Sequence, residues 1–406
     1  MHKEFRRVDR VHASKLIGFV CAAFAALWIS TATAKDLLHF QPAQTDALPI
    51  PQNGAYTGAY CPDSETHQVS EKTIYDFETM SEKKIVFVHL FVNWIEDNAI
   101  GDVAFIAFPS QACEMIQRRG SIPLITWRCN VLPNEGQNLL DLIANGEFDD
   151  HLRSWADKIK QRRGLVFLRW GHEMNGDWFP WSSALNGGEK PMPGVGGSPS
   201  GPTRFKKAWR HITDIFRIQG ATNVRWVWSV YPGNAVGGVW NEIENYWPGD
   251  DRVDWISISV RNYSLSNLAD RIKWKNFGEI LDAYYGRVTK RLPAKPLMLA
   301  EWGCANQVDA AEGDKTLWIK DAFKILPKKY RSIKAICWYN DTIQGEPGFF
   351  PANFRLDFTP HNKAYAEGIA SSYFVEEIPI PALKPKPKPV PKLPHIPLVK
   401  GKPVGR

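Results

Sequence analysis

Cysteine is scarce in this chain and poorly spaced for structural chemistry. Its 406 residues include six cysteines, and Cys21 lies in an N-terminal apolar run. The other five, Cys61, Cys113, Cys129, Cys304 and Cys337, are odd in number and form no CxxC pair. That argues against a zinc site or a dense disulfide framework, and leaves one or two unassigned bridges open in an oxidising compartment. A phosphate-cradling glycine loop is also missing, because Gly313-Asp-Lys-Thr316 lacks the glycines that should precede it. Ser229 and Ser257 stand outside any nucleophile elbow. His89 and His211 are isolated, and no cluster has metal-ligand spacing. A net positive charge is absent from the body of the chain. Of a net charge of +7, residues 1–34 carry +3 and residues 379–406 carry +7, which leaves −3 between them. This excludes the basic footprint of a nucleic-acid binder, so no nucleic-acid partner is expected.

What is present is a globular composition, 44% hydrophobic and 23% charged, with seventeen tryptophans. A buried indole N–H seeks a partner, so that excess suggests ligand-facing rings as well as core ones. Residues 1–34 read as a secretory signal. Lys3, Arg6, Arg7, Arg10 and Lys15 precede an apolar run at 16–29, which is short for a bilayer span, and Ala32-Thr33-Ala34 fits the cleavage pattern. The expectation is a secreted or periplasmic protein. Residues 35–53 form an irregular lead-in. The tail, 376–406, is rich in Pro and Lys; it predicts an extended, disordered tether able to contact an anionic cell-surface polymer.

Between these ends lie eight short apolar runs, at 55–61, 85–92, 122–129, 165–173, 224–231, 255–260, 296–302 and 333–338. Helical spacing of apolar residues occurs at 70–83, 103–119, 139–162, 203–218, 277–291 and 315–326. Near-continuous apolar strands alternating with helices predict a single (β/α)8 barrel over 54–375, with a doubly wound open sheet as the alternative. The polar residues favour the barrel. His89, Asn93, Trp127, Arg128, Glu173, Tyr231, Asn262, Tyr263, Glu301, Trp338 and Asn340 all fall at or just past run C-termini, where barrels of this kind place their active sites.

One stretch changes character within a residue. After Leu165-Val-Phe-Leu168 comes Arg169-Trp-Gly-His-Glu-Met-Asn-Gly-Asp-Trp-Phe-Pro-Trp181. It combines an acid with flat aromatics and an amide, the equipment for binding and cleaving a saccharide. Trp178 and Trp181 are the expected sugar-binding wall, with Arg169, His172 and Asn175 as further substrate contacts. Strand periodicity puts Arg169, Gly171 and Glu173 on one face, and Leu297, Leu299 and Glu301 on another. Both glutamates are therefore expected to point into the barrel mouth from opposite sides, as glycoside hydrolysis requires. Glu173, ringed by Trp170, Trp178, Phe179 and Trp181, is expected to act as the acid; Glu301, with Tyr263 as a hydrogen-bond donor, is expected to stay ionised.

The segment Arg169-Trp-Gly-His-Glu-Met-Asn-Gly-Asp-Trp178 closely resembles the acid/base motif of glycoside hydrolase family 26, the β-mannanase family. The likeness extends over most of 54–375, with Gly54-Ala-Tyr-Thr-Gly58, Ala300-Glu-Trp-Gly303 and Trp338 as further points. It implies a (β/α)8 fold, a retaining mechanism and no metal or organic cofactor. By this resemblance Glu173 matches the acid/base and Glu301 the nucleophile. His172 and Trp178 line the site, Tyr263 holds the nucleophile, and Trp338 is the platform under the cleaved sugar. Two positions depart from the pattern. Arg261 stands where the family often has an acidic residue, and Tyr339 where it often has an arginine. The implied protein is a monomeric endo-β-glycosidase acting on a β-1,4-linked polysaccharide of β-mannan type. Relatives acting on β-1,3-1,4-glucan or exopolysaccharide are the alternatives within the family, and a non-catalytic polysaccharide-binding protein is the alternative of another class.

Overall fold

Runs dense in Val, Ile, Leu, Phe and Trp settle as strands only where both faces are covered. The computed structural model describes residues 6–7, 48–97, 103–191, 200–233, 235–262, 274–306, 313–343 and 352–379. Most of the expected signal and tail, and Tyr263, lie outside these residues. The runs become eight parallel strands: β1 (Ala55–Tyr60), β2 (Phe87–Asn93), β3 (Ile122–Arg128), β4 (Val166–Trp170), β5 (Val224–Val230), β6 (Trp255–Asn262), β7 (Leu297–Cys304) and β8 (Ile333–Tyr339). They pair in sequence order, and β8 pairs back onto β1 from Ala335↔Tyr56 to Tyr339↔Tyr60. The sheet is a closed (β/α)8 barrel, and the open-sheet alternative falls.

Around it run α1 (Glu71–Ser81), α2 (Ser110–Arg118), α3 (Leu139–Ala144), α4 (Asp149–Lys160), α5 (Ser200–Gln219), α6 (Phe277–Arg291), α7 (Lys315–Lys329) and α8 (Thr359–Ile369). Several boundaries differ from the sequence expectation. Val103–Phe105 is a strand pairing antiparallel with Ile95–Asp97, so α2 starts only at Ser110. The expected helix over 139–162 breaks in two. Asp149 and Asp150 in the first turn of α4 and Lys158 and Lys160 in its last suit the dipole of an independent helix. Between β5 and β6 the chain makes three 3₁₀ turns, Val239–Asn241, Ile243–Tyr246 and Asp250–Arg252, where the other units have an α-helix.

The barrel interior is layered along the strands. At its N-terminal end Tyr56, Phe87, Phe167 and Trp255 meet edge to face, with centroids 4.9–6.3 Å apart, and close it with an aromatic plug. One inward position further up, the strands present His89, Thr126, Arg169 and Ser229, followed by Ser259 and Glu301. Above that polar layer is the mouth, with Tyr60, Phe91, Arg128, Arg261 and Tyr339. A plug below and chemistry above is the arrangement that confines a ligand to the strand C-termini.

Most of the tryptophans belong to the packing between strands and helices. Of the seventeen, twelve are buried, and Trp178, Trp240, Trp247 and Trp274 are partly exposed. The excess therefore reports chiefly a large aromatic core. The indole nitrogens of Trp94, Trp127, Trp170, Trp228 and Trp302 have no hydrogen-bond partner among the described residues, so burial did not require one. Cys61, Cys113, Cys129, Cys304 and Cys337 are all buried and unbridged.

Candidate active site

The β4 strand stops at Trp170, three residues short of the expected end. Gly171 and Glu173 then take left-handed backbone, with φ of +58° and +54°. For a glutamate this conformation is strained, and it persists because the turn is tied down. The Glu173 N–H donates to the Ser229 carbonyl at 2.9 Å, and Gly176 N–H donates to the Glu173 carbonyl at 2.9 Å. The glycines are demanded by space. A Cβ on Gly171 would sit 2.9 Å from the Phe205 ring, and one on Gly176 would sit 2.5 Å from the Trp178 ring. Trp178 thus folds back over its own turn, and its indole N–H donates to Glu173 Oε2 at 3.1 Å. Its ring meets Tyr231 edge to face at 4.7 Å.

Glu301 arrives by a different route. Strand periodicity alone would send it outward with Leu297 and Leu299, which pack among the helices. Both neighbours of β7 record an extra residue there. Two steps on β6, Ser257 to Ser259, match three on β7, Met298 to Glu301. On β8, Ile336 to Trp338 matches Leu299 to Trp302. This β-bulge reverses the phase and turns Glu301 into the barrel. The periodic expectation named the right residue for the wrong reason.

Inside, Glu301 meets Arg169, which is wholly buried. The guanidinium donates from Nε to Ser229 Oγ at 2.9 Å, from Nη1 to Thr126 Oγ1 at 3.0 Å and to Glu301 Oε1, and from Nη2 to Ser259 Oγ at 2.9 Å. Burial would raise the Glu301 pKa, but the charges of Arg169 and Arg261 outweigh it and hold the carboxyl well below its usual range. His172 and His89 stay neutral nearby. Burial, followed by the charge of Arg169, pushes His172 well below 6.5, and burial pushes His89 down to about 3.

Arg261 spans the two carboxylates. Its Nη2 lies 3.4 Å from Glu173 Oε1 and its Nη1 lies 3.5 Å from Glu301 Oε2. Its guanidinium carbon is 5.9 Å from the centre of the Tyr339 ring. Glu173 and Glu301 are at most 2% exposed, while the Arg261 side chain is 18% exposed. The arginine is therefore the more accessible member of the trio.

Several residues expected in the substrate wall sit elsewhere. Arg169 lies beneath the carboxylates as their support. Trp181 is fully buried, stacks on Phe179 at 4.5 Å and donates to the His172 carbonyl at 2.7 Å. It braces His172, whose Nδ1 is buried without a partner among the described residues. Asn175 has both ends of its amide on the backbone of Tyr231, accepting from N–H and donating to C=O at 2.9 Å. It clamps the end of β5, so its amide is not offered to a sugar. Trp338, expected as the sugar platform, faces away from the cleft. Its ring packs against Trp302 at 4.9 Å and against Tyr365 of α8 at 5.3 Å, and its N–H donates to the Phe354 carbonyl at 3.2 Å. The next residue, Tyr339, faces inward in its place. Of the ring of aromatics expected around Glu173, Trp170 stacks on Phe205 of α5 instead. Tyr263 lies outside the described residues. Thr126, Ser229 and Ser259, which cage Arg169, were missed. Each is a hydroxyl residue interrupting an apolar strand, and Thr126 stands directly opposite Arg169 in register, a signal present in the sequence. Among the described residues no group of three or more His, Cys, Asp or Glu could hold a metal ion.

The model of Glycosyl hydrolase family 26 matches residues 133–293, a span that holds Glu173 and Arg261 and ends before Glu301. Over that span the chain is similar to glycosyl hydrolase family 26. Endoglucanase H of Acetivibrio thermocellus is 29% identical over 311 residues, covering 75% of this chain. The chain spans only 29% of that relative's length. A β-1,3-xylanase of a Vibrio species, TXYA, is 28% identical over 120 residues, covering 29% of this chain and 21% of that protein. Two solved family 26 structures share the fold. The β-mannanase of Bacteroides ovatus has a TM-score of 0.53 at 15% identity, covering 80% of this chain and 90% of the other. GH26C of a Muricauda species has a TM-score of 0.54 at 16% identity, covering 80% and 87%.

Proposed function

We propose that the barrel is a retaining endo-β-glycosidase acting on a β-1,4-linked polysaccharide, with Glu301 as nucleophile and Glu173 as acid/base. The observation that carries this reading is the carboxylate pair itself, two buried glutamates at strand C-termini bridged by a single guanidinium. Their environments divide the roles. Glu301 is locked as an anion by Arg169 from below, which suits attack on an anomeric carbon. Glu173 is on a turn at the mouth and receives the Trp178 N–H, which orients one oxygen and leaves the group to exchange a proton.

In the first step Glu301 forms a bond to the anomeric carbon while the bond to the leaving oxygen breaks, and Glu173 gives that oxygen its proton. In the second, Glu173 takes a proton from water, which attacks the same carbon and releases Glu301. A separation of about 5–5.5 Å between the carboxyls is expected for this mechanism. Retention rests on the resemblance to family 26. Among backbones, a β-glucan stands ahead of the expected β-mannan, because the long sequence match is to a protein named an endoglucanase. Secretion is proposed from residues 1–34, and among the described residues no helix is long and apolar enough to cross a membrane.

The test is covalent trapping. Incubation with a 2-deoxy-2-fluoro glycoside bearing a good leaving group should add one sugar mass to a peptide containing Glu301. Labelling elsewhere, or turnover of natural polymer with inversion at the anomeric carbon, would overturn the assignment.

A further inference from the structure

The connection between β5 and β6 departs from its neighbours, with three 3₁₀ turns in place of an α-helix. Asn241 closes the first of them, Val239–Asn241, and is 5% exposed. Its amide is engaged at both ends. Nδ2 donates to the Asn175 carbonyl at 2.9 Å and to the Val236 carbonyl at 2.8 Å, and Oδ1 accepts from the Tyr246 hydroxyl. Turning the amide over would set its oxygen against two carbonyl oxygens, so the network admits one orientation. Tyr246, in the second turn, is buried and meets Phe205 edge to face at 5.8 Å. Phe205 is also the ring that excludes a Cβ at Gly171.

Asn175 stands two residues after Glu173, in the turn whose left-handed backbone carries the carboxyl. Such a conformation lasts in a glutamate only where the surroundings hold it. Backbone bonds hold it from two sides, Glu173 N–H to the Ser229 carbonyl at 2.9 Å and Ser183 N–H to the Met174 carbonyl at 3.1 Å. Asn241 adds a side-chain tie from the segment beyond β5. The Asn175 side chain carries that tie onward, since it grips the Tyr231 backbone through both ends of its own amide. The Tyr231 ring in turn meets Trp178, whose indole N–H donates to Glu173 Oε2. One amide therefore bears on the acid by two routes, through the backbone of its turn and through the indole that orients its oxygen. Placement matters here, because an error of about 1 Å at a reacting group can cost about 100-fold in rate.

We propose that Asn241 is a positioning residue for Glu173, fixing the turn after β4 so that the carboxyl meets the leaving oxygen. The inference rests on the reading of Glu173 as acid/base, and it gives the 3₁₀ segment between β5 and β6 a task. Asn241 acts through Asn175 and Trp178, with Tyr246 holding its amide in the working orientation.

The experiment measures kcat/KM of the full chain on aryl β-oligosides of cello and manno type whose leaving phenols run from dinitrophenol to phenol. A good leaving group departs without a proton and a poor one needs the acid, so the series reads the placement of Glu173. The wild type should vary little across it. Asn241→Ala should lose about 100-fold on the phenyl oligoside but less than about threefold on the dinitrophenyl one, a loss within what a positioned general acid supplies. Tyr246→Phe removes only the hydroxyl that orients the amide, and should lose about tenfold on the phenyl oligoside. Asn223→Ala is the control. Its buried amide also donates to carbonyls, those of Ile159, Arg162 and Gly164 at 2.8–3.2 Å, but it precedes β5 at the far end of the barrel. That variant should change every substrate by one factor, and circular dichroism confirms folding throughout. A loss in Asn241→Ala that is equal for all leaving groups, or a steeper dependence shared by Asn223→Ala, would overturn the proposal. If Asn241→Ala does not fold, an unchanged dependence in Tyr246→Phe would overturn it. Failure of the wild type to cleave any aryl oligoside, glucan or mannan would overturn the glycosidase reading and this inference with it.

Discussion

The floor and the cover of this site are both built on arginine, yet they do opposite work. Below, Arg169 is held by Thr126, Ser229 and Ser259, side chains from three different strands, and presents a fixed cation to Glu301. Above, Arg261 touches both glutamates loosely and remains partly open to solvent. The difference teaches that a charge becomes structural when hydroxyls from several strands hold it. A cation that meets the carboxylates at the outer limit of a hydrogen bond and keeps an edge in solvent is held less tightly.

The strongest way to break this comparison is to remove each arginine in turn. Arg169→Met strands Glu301 in the interior and should cost about 3–5 kcal/mol in urea unfolding, with loss of turnover. Arg261→Met should cost less than Arg169→Met in the same unfolding measurement, since its contacts to the two carboxylates are 3.4 and 3.5 Å long. Equal destabilisation by the two would erase the distinction between floor and cover.

A second contrast lies between two tryptophans. Trp338→Ala should destabilise the fold by about 3–5 kcal/mol through the cavity left against Trp302 and Tyr365, without raising KM. Trp178→Phe should keep stability within about 1 kcal/mol. It should lower kcat roughly 10- to 100-fold, because a hydrogen bond to a charged group is worth about 1.5–3 kcal/mol. A rise in KM from Trp338→Ala would restore that residue to the cleft.

These pairs show where the sequence was readable. The eight apolar runs and the two glutamates at their ends were legible, because strand periodicity and abrupt polarity are local signals. The direction of Trp338 was not, and neither was the reason for the direction of Glu301. A single bulge in β7 inverts side-chain phase, and nothing in Leu-Met-Leu-Ala-Glu-Trp announces where the extra residue falls. Asn175 and Trp181 were in the right stretch, but their partners Tyr231 and His172 are fixed by how β5 meets the turn after β4. The hydroxyl cage of Arg169 was visible in principle as polar breaks in apolar strands. Its meaning emerges only when the strands are set side by side.

The smallest expected effects are in pH dependence. The folded pKa of Glu301 lies below its unfolded value, so its ionisation contributes stability above the ordinary glutamate pKa of about 4.3 and loses it as pH falls through and below that range. His172 and His89 act in the same direction. Below about pH 6.5 the unfolded chain takes up protons that the native histidines refuse, so stability again falls with pH. Unfolding midpoints followed from pH 7 to pH 3 should decline throughout. In Arg261→Gln the acid limb of kcat/KM should move to higher pH, because one of the two cations holding Glu301 ionised is gone.

The central claim is that Glu173 and Glu301 form a working hydrolytic pair. It is tested most directly by reducing-end release from lichenan, glucomannan and mannan by the wild type and by Glu301→Gln. The account predicts release from at least one polymer by the wild type and none by a Glu301→Gln protein that remains folded by circular dichroism. Undiminished release by Glu301→Gln, or no release from any polymer by the wild type, would contradict it.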